Sequence, residues 1–307
     1  MLIAFVHNNK SFLPETTAYT RFFTTKGIAC EAVWPEQLHQ LKPDVAWHFM
    51  GTDHSRSGSA FKIHEYTSAS IPPAAALKNL YKRFFNAKPD HRLFLNEYVR
   101  NAFSFHDGVP FGYRDMGVNE SWLELSNKNI RKEYDFVYAG EIKHRNINKL
   151  LDVFATGNLR DRSILVVSKE YGEEKKAYST ASNIFFEGPV AHDAMPFTIS
   201  SARFAINFMP DKIPFNNQTS TKLLEYAACR IPVITSDYNW VRNFKEQFGG
   251  KYFFISNDMS NLTWENITSF EYAFPDLRQW TWEHQITRSG IMDVLATRFP
   301  EINQPAF

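Results

Sequence analysis

Short apolar runs alternate with amphipathic segments over the first 125 residues. The runs at 2–6 and 28–34 flank a segment, 16–26, whose apolar positions recur at helical spacing, a pattern typical of a β-α-β unit. The same reasoning predicts a helix over 74–85 and further strands at 43–51, 62–66, 92–95 and 102–105. We therefore expect residues 1–125 to form one α/β domain.

The same rhythm restarts after a polar stretch, 126–132, which we interpret as a linker. The second domain, 126–280, carries predicted helices at 148–155, 173–180 and 195–202, and predicted strands at 135–139, 163–168, 184–187, 204–209 and 232–235. A terminal helix over 281–298 opens a last segment, 281–307, that we expect to pack back on the first domain. Alternation of this kind predicts two Rossmann-like domains with parallel sheets, facing each other across a cleft.

The stretch 215–237 contains the best candidate for an anion site. Thr219 and Ser220 can cap a helix, so the N–H groups of Thr221 and Lys222 would face a ligand in front of it. A helix N-terminus beside a lysine suits a phosphate. Glu225 follows one turn later and could accept hydrogen bonds from hydroxyl groups next to that phosphate.

Two loops of the second domain could meet this helix, because ligands of open α/β sheets bind at the carboxyl ends of the strands. Gly140, Lys143 and Arg145 follow the strand at 135–139, and Gly188 follows the strand at 184–187. The first loop could also be an ordinary solvated basic loop. The second could be an ordinary turn.

The charge balance argues against one class of function, and the cysteine content indicates a cellular compartment. The 34 Lys and Arg against 33 Asp and Glu leave a net charge of +1, which argues against a general nucleic-acid binder. Two cysteines in unlike contexts form no disulfide framework or metal cluster, so a reducing compartment is expected. The N-terminus lacks a leader pattern, and no run reaches the ~18 to 20 apolar residues of a membrane span. We expect a cytoplasmic protein, which is compatible with peripheral contact at the inner face of a membrane.

Several catalytic motifs are absent from the sequence. It contains no Asp-x-Asp pair for a metal-held nucleotide, no dinucleotide or P-loop glycine pattern and no Gly-x-Ser-x-Gly elbow. We therefore expect neither a metal nor a bound cofactor.

Three segments, 136–151, 183–190 and 220–237, resemble the donor-binding domain of GT-B fold glycosyltransferases. The resemblance is to the large retaining group that includes sucrose-synthase-like and mannosyltransferase-like enzymes. It implies transfer of a sugar from a nucleotide-diphosphate sugar to a glycan or lipid-linked acceptor, and the missing Asp-x-Asp pair adds the expectation that no metal is needed. From the size of the chain alone we hypothesise a role in polysaccharide biosynthesis.

The resemblance also assigns roles to residues of this sequence. Arg145 and Lys143, together with Ser220, Thr221 and Lys222, would hold the diphosphate, and Glu225 would bind the ribose. Two positions depart from the family pattern. Asn217 stands where many members carry a Glu, so the loop would meet the sugar through neutral hydrogen bonds. Arg230 replaces a usual Gly after the helix, which requires either a left-handed turn or another way of ending the helix.

The first domain would hold the acceptor and any acid or base. His64 resembles the active-site His of retaining relatives, with Glu65 and His48 as rivals, and His106 with Asp107 is a further candidate pair. His64 could instead be a structural residue with its hydrogen bonds made inside the fold. Asp107 could simply belong to a turn. A basic run could face anionic lipid, a phosphorylated acceptor or only solvent; it comprises Lys78, Lys82, Arg83, Lys88 and Arg92.

Two other functions fit the same residues. One is a non-catalytic protein with two domains that binds a sugar or nucleotide. The other is an inverting GT-B enzyme or an epimerase, in which a His or carboxylate of the first domain would be the base.

Overall fold

The computed structural model describes residues 1–7, 13–55, 58–125, 130–143 and 145–303. Part of the predicted linker (126–129), part of the first predicted loop (8–12) and His144 lie outside the described residues. The chain divides into two compact units. Unit 1 comprises Met1–Gly117 and Gln279–Phe307, and unit 2 comprises Val118–Arg278.

The strands and helices of the described residues are numbered in chain order. The strands are β1 (Leu2–Val6), β2 (Ala29–Val33), β3 (Val45–Phe49), β4 (Phe61–Tyr66), β5 (His91–Phe94), β6 (Phe111–Tyr113), β7 (Tyr134–Ala139), β8 (Ile164–Val167), β9 (Ile184–Glu187), β10 (Ala202–Asn207), β11 (Val233–Ser236) and β12 (Phe253–Ile255). The helices are α1 (Pro14–Thr24), α2 (Leu38–Leu41), α3 (Ala75–Phe85), α4 (Glu97–Phe103), α5 (Glu120–Leu125), α6 (Asn148–Ala155), α7 (Gly172–Ala177), α8 (Met195–Ser200), α9 (Thr221–Ala228), α10 (Asn239–Phe248), α11 (Trp264–Ser269), α12 (Trp282–Arg288) and α13 (Ile291–Arg298).

Unit 1 is built on a parallel sheet with the strand order β2-β1-β3-β4-β5-β6. Its core joins Phe5 of β1 and Trp47 of β3 with Tyr19 and Phe23 of α1. The terminal helices α12 and α13 complete this core through apolar side chains that are buried against the same cluster, namely Ile286, Ile291 and Leu295.

Unit 2 is built on a second parallel sheet with the order β12-β11-β10-β7-β8-β9. The chain runs from β7 outward to β9, then returns to the other side of β7 and continues to β12. The connections therefore reverse direction between β7 and β10. In sheets of this Rossmann type, a crevice for ligands opens at the carboxyl ends of those two strands.

The predicted class of two Rossmann-like α/β domains is confirmed, since each unit is a parallel sheet covered by helices. The predicted strand at 102–105 is wrong, because those residues end α4 and the turn after it. Asn96 caps α4 by accepting a hydrogen bond from the Val99 N–H at 3.0 Å, a helix signal that the short apolar run concealed. The predicted terminal helix is interrupted at Gly290, whose φ of 71° separates α12 from α13.

A buried charge cluster supports the core of unit 1. Arg114 contacts the carboxylates of Glu65 and Glu15, and its Nε donates to the Tyr19 hydroxyl at 2.9 Å. Glu65 also accepts from Trp47 Nε1 at 2.7 Å. These polar groups are almost completely buried. The cluster therefore joins β4, α1 and the residue after β6. Arg114 is the cation that balances the buried carboxylates of Glu15 and Glu65.

We predict that Arg114→Met lowers the stability of unit 1 by about 3 to 5 kcal/mol, because it leaves the Glu65 carboxylate buried without its cation. Thermal and urea unfolding would measure the loss. Lys251→Met is the matched control, since the Lys251–Glu271 pair lies on the surface and its removal should leave the unfolding midpoint unchanged. Equal effects of the two substitutions would contradict a supporting role for the buried cluster.

Candidate functional site

A cleft of about 240 Å³ opens in unit 2 between the carboxyl ends of β7 and β10 and the N-terminus of α9. This is the crevice that the reversal of strand order predicts. Its lining residues are Tyr138, Ala139, Gly140, Glu141, Arg145, Ile206, Asn207, Phe208, Met209, Thr219, Ser220, Thr221 and Lys222.

Helix α9 begins at this cleft because Ser220 caps it. The Ser220 Oγ accepts from the Leu223 N–H at 3.3 Å and donates to Asn207 Oδ1 at 2.8 Å. Thr221 and Lys222 occupy the first two helical positions, where helix geometry leaves the N–H groups without an intrahelical acceptor. The helix therefore directs two backbone donors towards the cleft.

The side chain of Asn207 fixes the position of this cap. It is buried at the end of β10, and its amide donates to the Tyr238 hydroxyl at 2.9 Å and to Thr235 Oγ1 at 3.0 Å. Burial raises the pKa of Tyr238 to about 12, so the hydroxyl keeps its proton at neutral pH. The end of β10, β11, the cap of α9 and the residue before α10 thus meet at one buried amide.

A second link joins α9 to the loop after β7. The hydroxyl of Tyr226, which is completely buried, accepts from the Ala139 N–H at 2.9 Å and donates to the Ala139 carbonyl oxygen at 3.3 Å. Burial raises the pKa of Tyr226 well above its ordinary value. The glycine that follows, Gly140, has φ 155°, a conformation that L-residues rarely adopt. The Tyr226 hydrogen bonds therefore fix the position of α9 relative to the end of β7, on the two sides of the cleft.

Two cations reach the cleft. The Arg145 guanidinium lies 4.4 Å from the centre of the Phe215 ring and contacts Met209 Sδ. Lys222 Nζ lies 2.6 Å from Glu225 Oε2, and the Glu225 side chain is only 7% exposed. Glu141 adds one exposed carboxylate to the lining. The lining cations therefore outnumber the carboxylates.

The structure brings together six of the residues predicted for donor binding: Gly140, Arg145, Thr219, Ser220, Thr221 and Lys222. Among the described residues, Lys143, Gly188, Asn217 and Glu225 do not line the cleft. Lys143 is exposed. Asn217 accepts from the Asn239 amide at 2.7 Å, and Glu225 lies one helical turn behind Lys222.

Gly188 has a structural reason to be glycine. A Cβ at this position would lie 2.1 Å from the backbone carbonyl oxygen of Ser168, and its φ is 147°. The sequence predicts that Gly188 allows a ligand to approach the backbone. In the structure, the backbone of Ser168, directly after β8, occupies that space instead.

Arg230 ends α9 with a left-handed turn, the first of the two expected possibilities. Its φ is 52°, its N–H donates to the Ala227 carbonyl at 3.0 Å, and the Ile231 N–H donates to the Tyr226 carbonyl at 3.1 Å. This is the hydrogen-bond pattern of a Schellman C-cap. The substitution of the usual Gly costs about 1 kcal/mol but preserves the turn.

Sequence reasoning missed several residues that shape the cleft: Tyr138, Glu141, Asn207, Phe208, Met209 and Phe215. Asn207 is the most informative, because a polar residue that ends a buried apolar strand is a detectable signal for a site at the sheet edge. Phe215 opens the stretch 215–237, but the sequence predicted no role for its side chain. Its contact with Arg145 depends on tertiary packing across 70 residues, which no local pattern reveals.

In unit 1, His64 lies in a buried polar cluster. Its Nε2 is 2.9 Å from Asp53 Oδ2, and Lys62 Nζ is 3.2 Å from the same oxygen. Burial would raise the pKa of Asp53, but the hydrogen bonds from His64 and Ser55 lower it overall. Because His64 is 0% exposed, the structure gives it a packing and hydrogen-bonding role.

His48 lies on β3 directly opposite His64 of β4, with ring centroids 5.6 Å apart. Burial lowers the pKa of His48 from 6.5 to about 4. The pKa of His64 is also lowered, chiefly by burial. Both rings are therefore neutral at physiological pH.

The candidate pair His106 and Asp107 lies elsewhere in unit 1. Asp107 forms a bidentate pair with Arg92, with Nη1–Oδ1 and Nη2–Oδ2 distances of 2.7 and 2.6 Å. The hydrogen bond from Arg92 lowers the pKa of Asp107 to about 2. Both candidates precede β6 and line a cavity of about 220 Å³ that also includes Arg100. They therefore lie at the amino end of β6, opposite the edge at which such sheets bind ligands.

The reversal of strand order in unit 1 falls between β1 and β3. The residues directly after these strands include His7 and Met50. Sequence reasoning proposed only His48, near the end of β3, in this region, although the topological rule points to the residues that follow both strands.

The described residues contain no group of three or more His, Cys, Asp or Glu side chains arranged to hold a metal ion. None of their helices combines the length and apolarity that crossing a membrane requires.

The buried histidine pair predicts a pH dependence of stability. Between pH 6.5 and 4 the unfolded chain protonates His48 whereas the folded chain does not, so stability should fall as the pH decreases through this window. His48→Gln removes that contribution. The difference in unfolding free energy between wild type and variant should change by about 1.4 kcal/mol per pH unit. Urea unfolding at pH 7 and pH 5 measures it, and parallel profiles would contradict the neutral buried ring.

No protein-family model matches the sequence, and no curated protein matches it either. Solved structures do resemble it. AviGT4, a glycosyltransferase involved in avilamycin A biosynthesis, aligns over 97% of this chain and 98% of its own with a TM-score of 0.63 and 12% identity. The Anabaena protein Alr3699/HepE in complex with UDP-glucose aligns over 99% and 97%, with a TM-score of 0.57 and 11% identity.

The T4 phage protein BGT in complex with UDP and Mn²⁺ aligns over 99% of this chain and 100% of its own, with a TM-score of 0.52 and 13% identity. At these identities the likeness concerns the fold. Almost the whole length of the chain therefore follows the GT-B architecture of these glycosyltransferases.

Proposed function

We propose that the protein is a glycosyltransferase that moves a sugar from a nucleotide-diphosphate sugar to a glycan or lipid-linked acceptor. One observation carries this proposal. Arg145, Lys222 and the N-terminus of α9 converge in the cleft between β7 and β10, in a fold shared with a protein whose structure holds UDP-glucose.

The cleft suits a diphosphate. A helix N-terminus offers aligned N–H donors and a partial positive charge. A guanidinium can bind two phosphate oxygens at once, and the Phe215 ring packs against the Arg145 guanidinium. Because Asn207 and Tyr226 hold both walls, the donors are positioned before the ligand arrives.

Glu225 fits the ribose through an exchange of partners. In the structure its carboxylate holds Lys222 Nζ at 2.6 Å. A phosphate that attracts Lys222 would free the carboxylate to accept hydrogen bonds from the ribose hydroxyls. The exchange keeps the buried carboxylate of Glu225 from being left without a hydrogen-bond donor.

The transfer step breaks the bond between the anomeric carbon and the donor phosphate oxygen. The acceptor hydroxyl oxygen forms the new bond to that carbon, and its proton passes to the departing phosphate with retention of configuration. In this proposal the residues of unit 2 stabilise the charge on the leaving diphosphate. Arg145 and Lys222 supply this charge instead of a metal ion.

Unit 1 would then bind the acceptor, most favourably at the carboxyl ends of β1 and β3. The buried placements of His64 and Glu65 leave both outside the catalytic set that we propose. Both cysteines are free thiols, which agrees with the cytoplasmic location that we propose.

Arg145→Met and Lys222→Met should each weaken nucleoside diphosphate binding by about 10- to 100-fold, since each removes a charge-assisted hydrogen bond. Titration calorimetry with UDP, GDP, ADP and CMP identifies the base and measures the loss. Lys149→Met, an exposed change on α6, is the charge-matched control. If the control loses as much affinity as the cleft variants, the assignment of the cleft fails.

Catalysis is tested by incubating the protein with labelled sugar nucleotides and acceptor extracts. We expect labelled product, or slow donor hydrolysis without acceptor, and loss of both in Arg145→Met. Because the T4 phage protein was solved with Mn²⁺, parallel reactions contain EDTA or Mn²⁺, and turnover in EDTA is the expected result. Tight nucleotide binding with neither transfer nor hydrolysis would instead identify a binding protein.

A further inference from the structure

Helix α3 of unit 1 presents its apolar residues to solvent. The α3 apolar stripe consists of Leu77, Leu80, Tyr81, Phe84 and Phe85, which recur at helical spacing on one side of the helix. Leu77 is 68% exposed, Phe84 67% and Phe85 63%. Soluble proteins rarely expose several large apolar side chains side by side unless something covers them.

The side of α3 that faces the protein is mostly polar. Asn79 is buried, its Oδ1 accepts from the Ser70 N–H at 3.3 Å and its Nδ2 donates to the Ala102 carbonyl at 3.2 Å. Lys82 is half-buried, with its ammonium group 5.6 Å from the centre of the Phe103 ring. These contacts fix the rotation of the helix, so the outward position of the stripe follows from specific hydrogen bonds.

Cations surround the stripe. The segment 71–88 contains four basic residues and no carboxylate. Lys78 donates to the Ile71 carbonyl at 3.0 Å, and the Arg83 guanidinium lies 5.5 Å from the Phe84 ring. A helix that combines an apolar face with flanking Lys and Arg is the arrangement that binds a membrane interface.

We propose that the α3 apolar stripe docks unit 1 on an anionic lipid surface. The leucine, tyrosine and phenylalanine side chains enter the boundary between headgroups and acyl chains. Lys78, Arg83 and Lys88 pair with lipid phosphates at the surface. This inference is independent of the identity of the sugar nucleotide, and it would place a lipid-linked acceptor next to unit 1.

Charge distinguishes this occupant from a second copy of the chain. In a two-fold dimer the same patch would face itself, so Lys78 and Arg83 would meet the equivalent cations without any carboxylate between residues 71 and 88 to pair them. An anionic lipid surface supplies the missing counter-charge throughout the patch.

The test is co-sedimentation of the full chain with vesicles of equal parts phosphatidylglycerol and phosphatidylcholine, compared with pure phosphatidylcholine. We expect binding to the anionic vesicles only, weakened by salt. Phe84→Ser with Phe85→Ser should abolish binding, and Lys78→Glu with Arg83→Glu should reduce it by about 100-fold or more. Matched controls in unit 2 are Phe185→Ser, which removes a phenylalanine that is 43% exposed, and Lys169→Glu with Lys176→Glu.

Three outcomes would overturn the proposal. These are no binding to anionic vesicles, equal loss in the matched controls, or a dimer in sedimentation velocity that Phe84→Ser with Phe85→Ser converts to a monomer. Thermal unfolding of the same variants should stay unchanged and shows that unit 1 is folded, while unchanged nucleoside diphosphate affinity shows that unit 2 is intact. A failed vesicle experiment with intact nucleotide binding therefore contradicts the docking surface alone.

Discussion

The cleft in unit 2 depends on the buried amide of Asn207. This side chain binds Ser220, Thr235 and Tyr238, so it ties the cap of α9 to the ends of β10 and β11. A helix N-terminus can stabilise an anion only if its N–H groups stay aimed at one place. Tyr226 adds the same constraint on the β7 side. The side chains of Asn207 and Tyr226 are buried and hydrogen-bonded. A buried hydrogen-bonded network of this kind is rigid.

Unit 1 uses its buried polar residues differently. The Arg114 cluster and the group formed by His48, His64, Asp53 and Lys62 are enclosed within the sheet and its covering segments. Such residues resemble catalytic groups in sequence, because both kinds of site place His and Glu near strand ends. Exposure separates them, and exposure is a property of packing that the sequence shows only indirectly. We therefore place the proposed acceptor site at the carboxyl ends of β1 and β3 and the proposed lipid contact on α3.

Much of this fold could be predicted from local pattern. Apolar runs predicted ten of the twelve described strands, whereas the short edge strands β6 and β12 were not predicted. The cap at Ser220 was predicted from a hydroxyl before a helical pattern. The errors have physical causes. At 102–105 an apolar run was part of a helix capped by Asn96, and at Gly290 one positive φ divided a helix in two. The residues of the site were harder to predict, since Phe215 and Asn207 contribute through contacts between distant segments. Gly188 packs against the backbone of Ser168 and not at the cleft.

The most direct test of the central claim is a crystal structure of the protein with a nucleoside diphosphate bound. The account predicts that phosphate oxygens lie about 3 Å from the Arg145 guanidinium and from the N–H groups of Thr221 and Lys222, with Lys222 turned from Glu225 to the phosphate. Density for the diphosphate at any other place, such as the cavity beside Arg92 and Arg100, would contradict it.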